Sequence, residues 1–150
     1  MSVKISVTGI AEIDQVLRGL PQQLQHKILS EAHAEAAQPL VKMAYYKAPL
    51  RTGRLAESIG VKKTNLGKVG AIGLVQVGPI RGGSKKGYHA HLIEYGHRLV
   101  RGGKQIGFVR AKPFMEPSFN ATKDIVESNI ASTLGKRLLA FMKRTVKKYA

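Results

Sequence analysis

The 150-residue chain has no cysteine. That removes disulfides, thiolate nucleophiles and Cys-type zinc sites, and it fits a reducing cytosol. Tryptophan is also absent, and aromatic residues make up only 6 % of the chain, so aliphatic side chains and alanine must supply most of a core. Acids are scarce: nine Asp and Glu stand against 25 Lys and Arg. A hydrolase needs a pair of carboxylates, an activated serine or a metal, and the few acids here are scattered. The expectation is a protein that is not an enzyme and takes no cofactor. No apolar run approaches the roughly 18 residues of a membrane span, and the amino terminus lacks the apolar region of a signal peptide. The sequence therefore predicts a soluble, unsecreted protein without a membrane partner.

What is present is a globular composition with an uneven charge. Hydrophobic residues make up 43 %, and the length suits one domain with a real core, so a single domain over 1–150 is expected. The net charge is +16. Residues 62–112 hold eleven of the basic residues and one acid, Glu94, whereas residues 1–61 and 113–150 are closer to balance. A field this positive attracts polyanions or an acidic protein. A solvated, soluble surface is the plain structural explanation.

Along the chain, Val3 to Val7 alternate apolar and polar residues and predict a short strand. Thr8 can cap a helix beginning near Ile10, with Ile10, Ile13, Val16, Leu17 and Leu20 at helical spacing. Pro21 stops that helix and suits the first turn of the next. A second helix is expected from about Pro21 to Ala48, with Pro39 kinking or breaking it near residues 35–39. Thr52-Gly53 reads as a turn, and Leu55 to Val61 as a strand or a helical turn leading into one. Ala71 to Val77 has the β-branched character of a buried strand, preceded by turn residues Asn65, Gly67 and Gly70. Two flexible basic loops are expected, at about 79–87 and 98–110. From Pro117 to Tyr149 a long basic helix is expected, with Ile130, Leu134, Leu138 and Phe141/Met142 along one face and basic residues along another.

The stretch Tyr88 to Phe119 carries three of the five histidines and the lone central acid. His89, His91, Glu94 and His97 do not match a zinc-ligand spacing such as HExxH; partly exposed histidines at a sheet edge or interface are the simpler reading. Glu94 amid so many cations reads as an ion-pair hub for Arg98, Arg110 or an arginine of another subunit. The glycine-rich segment 78–87 does not follow the P-loop pattern. Aromatic residues are not interleaved with the basic clusters as base-stacking platforms require, so sequence-specific nucleic-acid readout has no support.

Several pieces in order resemble the head–tail joining or tail-completion (neck) proteins of long-tailed bacteriophages. They are Leu17-x-x-Leu20-Pro21, Ala48-Pro49-x-x-Thr52-Gly53-x-Leu55-x-x-Ser58-Ile59, Ala90-His-Leu-Ile-Glu94-Tyr-Gly96-His97, and Lys112-Pro-Phe-Met-Glu-Pro117-Ser118 before a terminal helix. The chain departs from the family in having His97 where Thr is frequent, Glu116 where Arg is frequent and Ser118 where Ala is frequent. The resemblance implies an α+β fold, with a small antiparallel sheet flanked by a kinked N-terminal helical region and a long C-terminal helix. It implies a structural virion protein made in the bacterial host cytoplasm and placed at the neck. Such a protein would act as a ring around the DNA channel, between a connector or portal-side protein and a tail-tube-side protein. The alternative is a basic module binding DNA without sequence preference. Candidate interaction residues are Arg81, Lys85, Lys86, Glu94, Arg98, Arg101, Phe114, Lys136, Arg137, Lys143 and Arg144.

Overall fold

Pro39 divides the N-terminal helical region as its chemistry requires. In a computed structural model, which describes residues 10–64, 73–82 and 85–149, helix α2 (Gln22–Ala36) ends one residue before helix α3 (Gln38–Lys47) begins. Proline has no N–H to give and so is tolerated in the first turn of α3, where that N–H would have no intrahelical acceptor. Ahead of α2, helix α1 (Ile10–Arg18) closes with Leu20 N–H donating to Leu17 O. Pro21 then stands immediately before α2, and its carbonyl accepts from Leu24 and Gln25. The expected strand at 3–7, the Thr8 cap and the turn at 65–70 lie outside the described residues.

The chain divides into two compact units, one formed by residues 1–36, 63–75 and 126–150, the other by residues 37–62 and 76–125. The first is helical. Leu17, Ile28 and Leu138 are its buried apolar centre, with Ile13, Leu20, Leu29, Leu134 and Phe141 packed against them. These are largely the positions at helical spacing in the sequence, although Val16 and Met142 are exposed. Ala32 is fully buried, and the hydroxyl of Thr133 lies 3.3 Å from its carbonyl and 2.8 Å from that of Asn129, so its one proton is shared between them. A small residue there lets the two helices approach closely. Two histidines on α2 hold the backbone of Gly73: its N–H donates to His26 Nδ1 at 3.0 Å, and its carbonyl lies 2.7 Å from His33 Nδ1, which must therefore donate.

In the second unit, Ala44, Ala48, Ala56, Ile59, Ala90 and Phe114 form the buried core, joined by Val41, Leu55, Ile93 and Met115. Four alanines around one phenylalanine is how a chain poor in aromatics closes a small core. Its elements are α3, the short helix α4 (Arg54–Ser58), strands β1 (Ile59–Lys63), β2 (Val75–Pro79), β3 (Arg81–Gly82) and β4 (Lys85–Lys86), helix α5 (Ala90–Tyr95), strands β5 (His97–Arg101) and β6 (Lys104–Val109), and the first turns of helix α6 (Met115–Tyr149). The strands pair as three two-stranded sheets, β1 with β2, β3 with β4 and β5 with β6. The α+β class and the long C-terminal helix agree with the sequence reading.

Three local readings change. Of the strand expected over Ala71 to Val77, Ala71 and Ile72 lie outside the described residues, Gly73 is in a turn and Leu74 is not in a ladder, so β2 is seen from Val75. The 79–87 segment holds the short β3–β4 hairpin, with Arg81 opposite Lys86 and Gly82 opposite Lys85. The segment 98–110 lies mostly in a hairpin, β5–β6. Its two-residue loop is Gly102-Gly103, both at positive φ (55° and 78°), the conformation that tight hairpin turns demand and glycine adopts freely.

Candidate assembly surface

Helix α6 starts where the chain turns out of the hairpin, and its first amides need acceptors, since an α-helix leaves four N–H groups unpaired at its start. Glu94 supplies them. Its Oε2 accepts from the backbone N–H of Phe114 at 2.9 Å and of Met115 at 3.1 Å, and its Oε1 from Glu116 at 3.1 Å. The carboxylate is buried and sits at the positive end of the helix dipole. Among the described residues it makes no ion pair, so the expected hub for Arg98 or Arg110 is instead a cap reaching over from α5. The same connection is braced by Lys112 N–H donating to Ile93 O at 2.8 Å.

Phe114 follows directly and is 1 % exposed. It is a core anchor and not a docking residue, whereas Phe119, one turn further on, is exposed. Ser118 is fully buried and its hydroxyl donates to Phe114 O; Thr122 repeats the bond one turn later, to Ser118 O at 2.8 Å. These hydroxyls satisfy themselves within the helix, so the buried face needs no outside polar partner.

Gly96 makes the corner between α5 and β5. Its φ of 73° with ψ of 170° belongs to glycine. A Cβ there would lie 2.5 Å from Val109 O and 2.9 Å from Ala111 N. His97 follows, with its Nδ1 3.3 Å from Leu92 O. His89 immediately precedes α5 and His91 is exposed on it. His89 and His91 thus sit at and on a short helix, and His97 opens β5. Among the described residues no group of three His, Asp or Glu side chains is placed to hold a metal.

Beyond that corner the β5–β6 hairpin presents apolar residues to solvent: Val100 is 62 %, Ile106 64 % and Phe108 60 % exposed. The register shifts between Leu99 and Val100, which face Gly107 and Gln105, so Ile106 is the extra residue of a bulge. Arg98 and Arg101 are exposed on β5, and Arg101 faces Lys104 across the turn. Arg81 is exposed on β3, and the side chains of Lys85 and Lys86 lie outside the described residues. The sequence flagged Arg98 and Arg101 but passed over Ile106 and Phe108. The signal that finds them is Gly102-Gly103 between two runs containing β-branched and aromatic residues.

Lys136, Lys143 and Arg144 are exposed on the later turns of α6. Arg137 is engaged: Nε and Nη2 donate to Glu35 at 3.0 and 2.8 Å, and Nη1 to Glu31 at 3.4 Å. It ties α6 to α2 within the first unit.

A cleft of about 580 Å³ opens between the α3–α4 link, α5 and the end of the hairpin. Pro49, Leu55, Leu92, Ile93 and Val109 give it apolar walls, and Arg51, Arg54, Arg110 and Lys112 line it with charge. No helix among the described residues is long and apolar enough to cross a membrane.

Residues 11–96 match a family model described as "Bacteriophage HK97-gp10, putative tail-component". No curated protein and no solved structure matches the chain significantly.

Proposed function

We propose that this chain, which belongs to the HK97-gp10-like family of bacteriophage tail components, is a structural protein of the head–tail junction. In this reading it completes the tail or neck as a ring of identical subunits around the DNA channel. Family membership supports the virion role, and the ordered sequence motifs support the junction. The observation that carries the assembly reading is the β5–β6 hairpin, with Val100, Ile106 and Phe108 all at least 60 % exposed on a two-stranded ladder. Two strands alone are marginal in water, and exposed apolar residues grouped on one element mark an interaction surface.

A closed ring uses heterologous contacts, so each subunit must offer two different patches to its neighbours. The hairpin is one. Neighbours on the portal side and the tail-tube side complete the set of partners, and no enzymatic step is needed. The exposed Arg98, Arg101 and Lys104 also suit nonspecific contact with phosphates of DNA in the channel, which would weaken steeply with salt.

Particles made without this protein are expected to accumulate as separate heads and tails, or with defective tails, under the electron microscope. Ile106→Asp with Phe108→Asp should reproduce that defect in a chain that still folds. Normal infectious virions from a clean deletion would sink the proposal.

A further inference from the structure

The cleft beside α5 has an electrostatic property that the assembly reading leaves unused. Four of its lining side chains are cations, Arg51, Arg54, Arg110 and Lys112, and among the described residues no acid lines it. The carboxylate of Glu57 is close by, its Oε1 3.7 Å from where a Cβ on the lining residue Gly53 would stand. All four are exposed, and among the described residues none is in an ion pair. Beneath them are Pro49, Leu55, Leu92, Ile93 and Val109, of which Leu55 and Ile93 also pack on the core of the second unit. The floor is therefore fixed by packing and the rim is free to meet a ligand. His97 is half-buried in the lining, with Nδ1 3.3 Å from Leu92 O.

We infer that this cleft docks a short acidic segment of a partner protein, one that carries carboxylates for the four cations and an apolar side chain for the floor. The volume suits a few residues of peptide. A nucleic-acid duplex would meet the rim but leave the apolar floor unused. A second copy of this chain is a poor occupant. It carries a net charge of +16, and four of its acids are already engaged: Asp14 with Arg18, Glu31 and Glu35 with Arg137, and Glu94 with backbone amides. Arginine suits the task, because its planar fork can hold a carboxylate with two parallel hydrogen bonds. The inference rests on the assembly reading only for the partner's being a virion protein.

The test uses the full chain and a fluorescein-labelled six-residue peptide alternating glutamate and leucine. Anisotropy is read at about 0.15 M salt, where the Debye length is about 8 Å and distant charges are screened. Peptides of glutamate with serine and of glutamine with leucine, and a six-nucleotide oligo-dT, are compared. The glutamate–leucine peptide should bind at least about tenfold more tightly than each of the others. Arg51→Glu with Arg54→Glu should weaken it by about tenfold or more, as should Arg110→Glu with Lys112→Glu. Lys123→Glu, exposed on α6 and outside the cleft, should leave it within about twofold. Thermal melts followed by circular dichroism check that each variant folds. Equal binding of the serine peptide, tighter binding of oligo-dT, or indifference to the cleft variants would each overturn the inference. Joined particles from a phage lacking the chain would sink the junction reading and leave the peptide result standing. Junction activity with no peptide binding would do the reverse.

Discussion

Glu94 is the single acid among residues 62–112, and it is spent on three backbone amides at the start of α6. Hydrogen bonds to a charged group, and the penalty for orphaning buried donors, make this the most consequential polar side chain of the second unit. Glu94→Ala should cost about 2–3 kcal/mol, read as a lower urea midpoint with an unchanged slope. Glu94→Gln keeps one acceptor oxygen but loses the charge facing the helix dipole, and should cost roughly 1 kcal/mol. Phe114→Ala should be worse, at about 3–5 kcal/mol, because alanine-lined walls cannot collapse into the space. Arg137→Ala should cost less than about 1 kcal/mol despite its three contacts, since the guanidinium and its partners are substantially exposed. A sequence shows that an acid is alone but not that its partners are peptide groups. For that reason Glu94 was legible as important and illegible as a cap.

At the level of elements, the helices could be read because each buries one stripe against a core. Leu17, Ile28 and Leu138 lie where the apolar spacing puts them, and Pro39 divides α2 from α3 for a local steric reason that needs no tertiary knowledge. The β5–β6 hairpin was hidden because neither strand buries a face: every residue of β5 after His97 is exposed, so the alternation that betrays a half-buried strand is missing. What remained was Gly102-Gly103, a turn signal without a hydrophobic rhythm around it. Replacing Gly102 and Gly103 by valine should abolish cross-strand nuclear Overhauser contacts such as those between Arg98 and Phe108, while the rest of the second unit keeps its signals. Gly96→Ala belongs to the same scale, since it strains the corner between α5 and β5. A cost of about 1–3 kcal/mol from the backbone conformation is expected, before the clash with Val109 O is added, and a thermal melt would read it.

For the whole molecule, charge decides how copies meet. A net charge of +16 opposes self-association in dilute buffer. On the proposed reading the isolated chain is expected to be monomeric and to form a ring only on a connector; mass measurement alone and with a purified connector checks this. Among the described residues no other strand pairs with either edge of the β5–β6 hairpin, and that gives the charge a second meaning. An open strand edge is a template for any extended chain, and sheets that expose one risk fibre growth. Here Val100, Ile106 and Phe108 sit on such a template. Arg98, Arg101 and Lys104 are distributed along the same two strands, where like charges repel a matching strand from another copy. As gatekeepers they would disfavour edge-to-edge pairing of two identical hairpins while leaving the hairpin open to a different patch on a neighbour. Substituting all three by serine should convert a clear solution into one that binds thioflavin, without lowering the melting temperature of the folded chain.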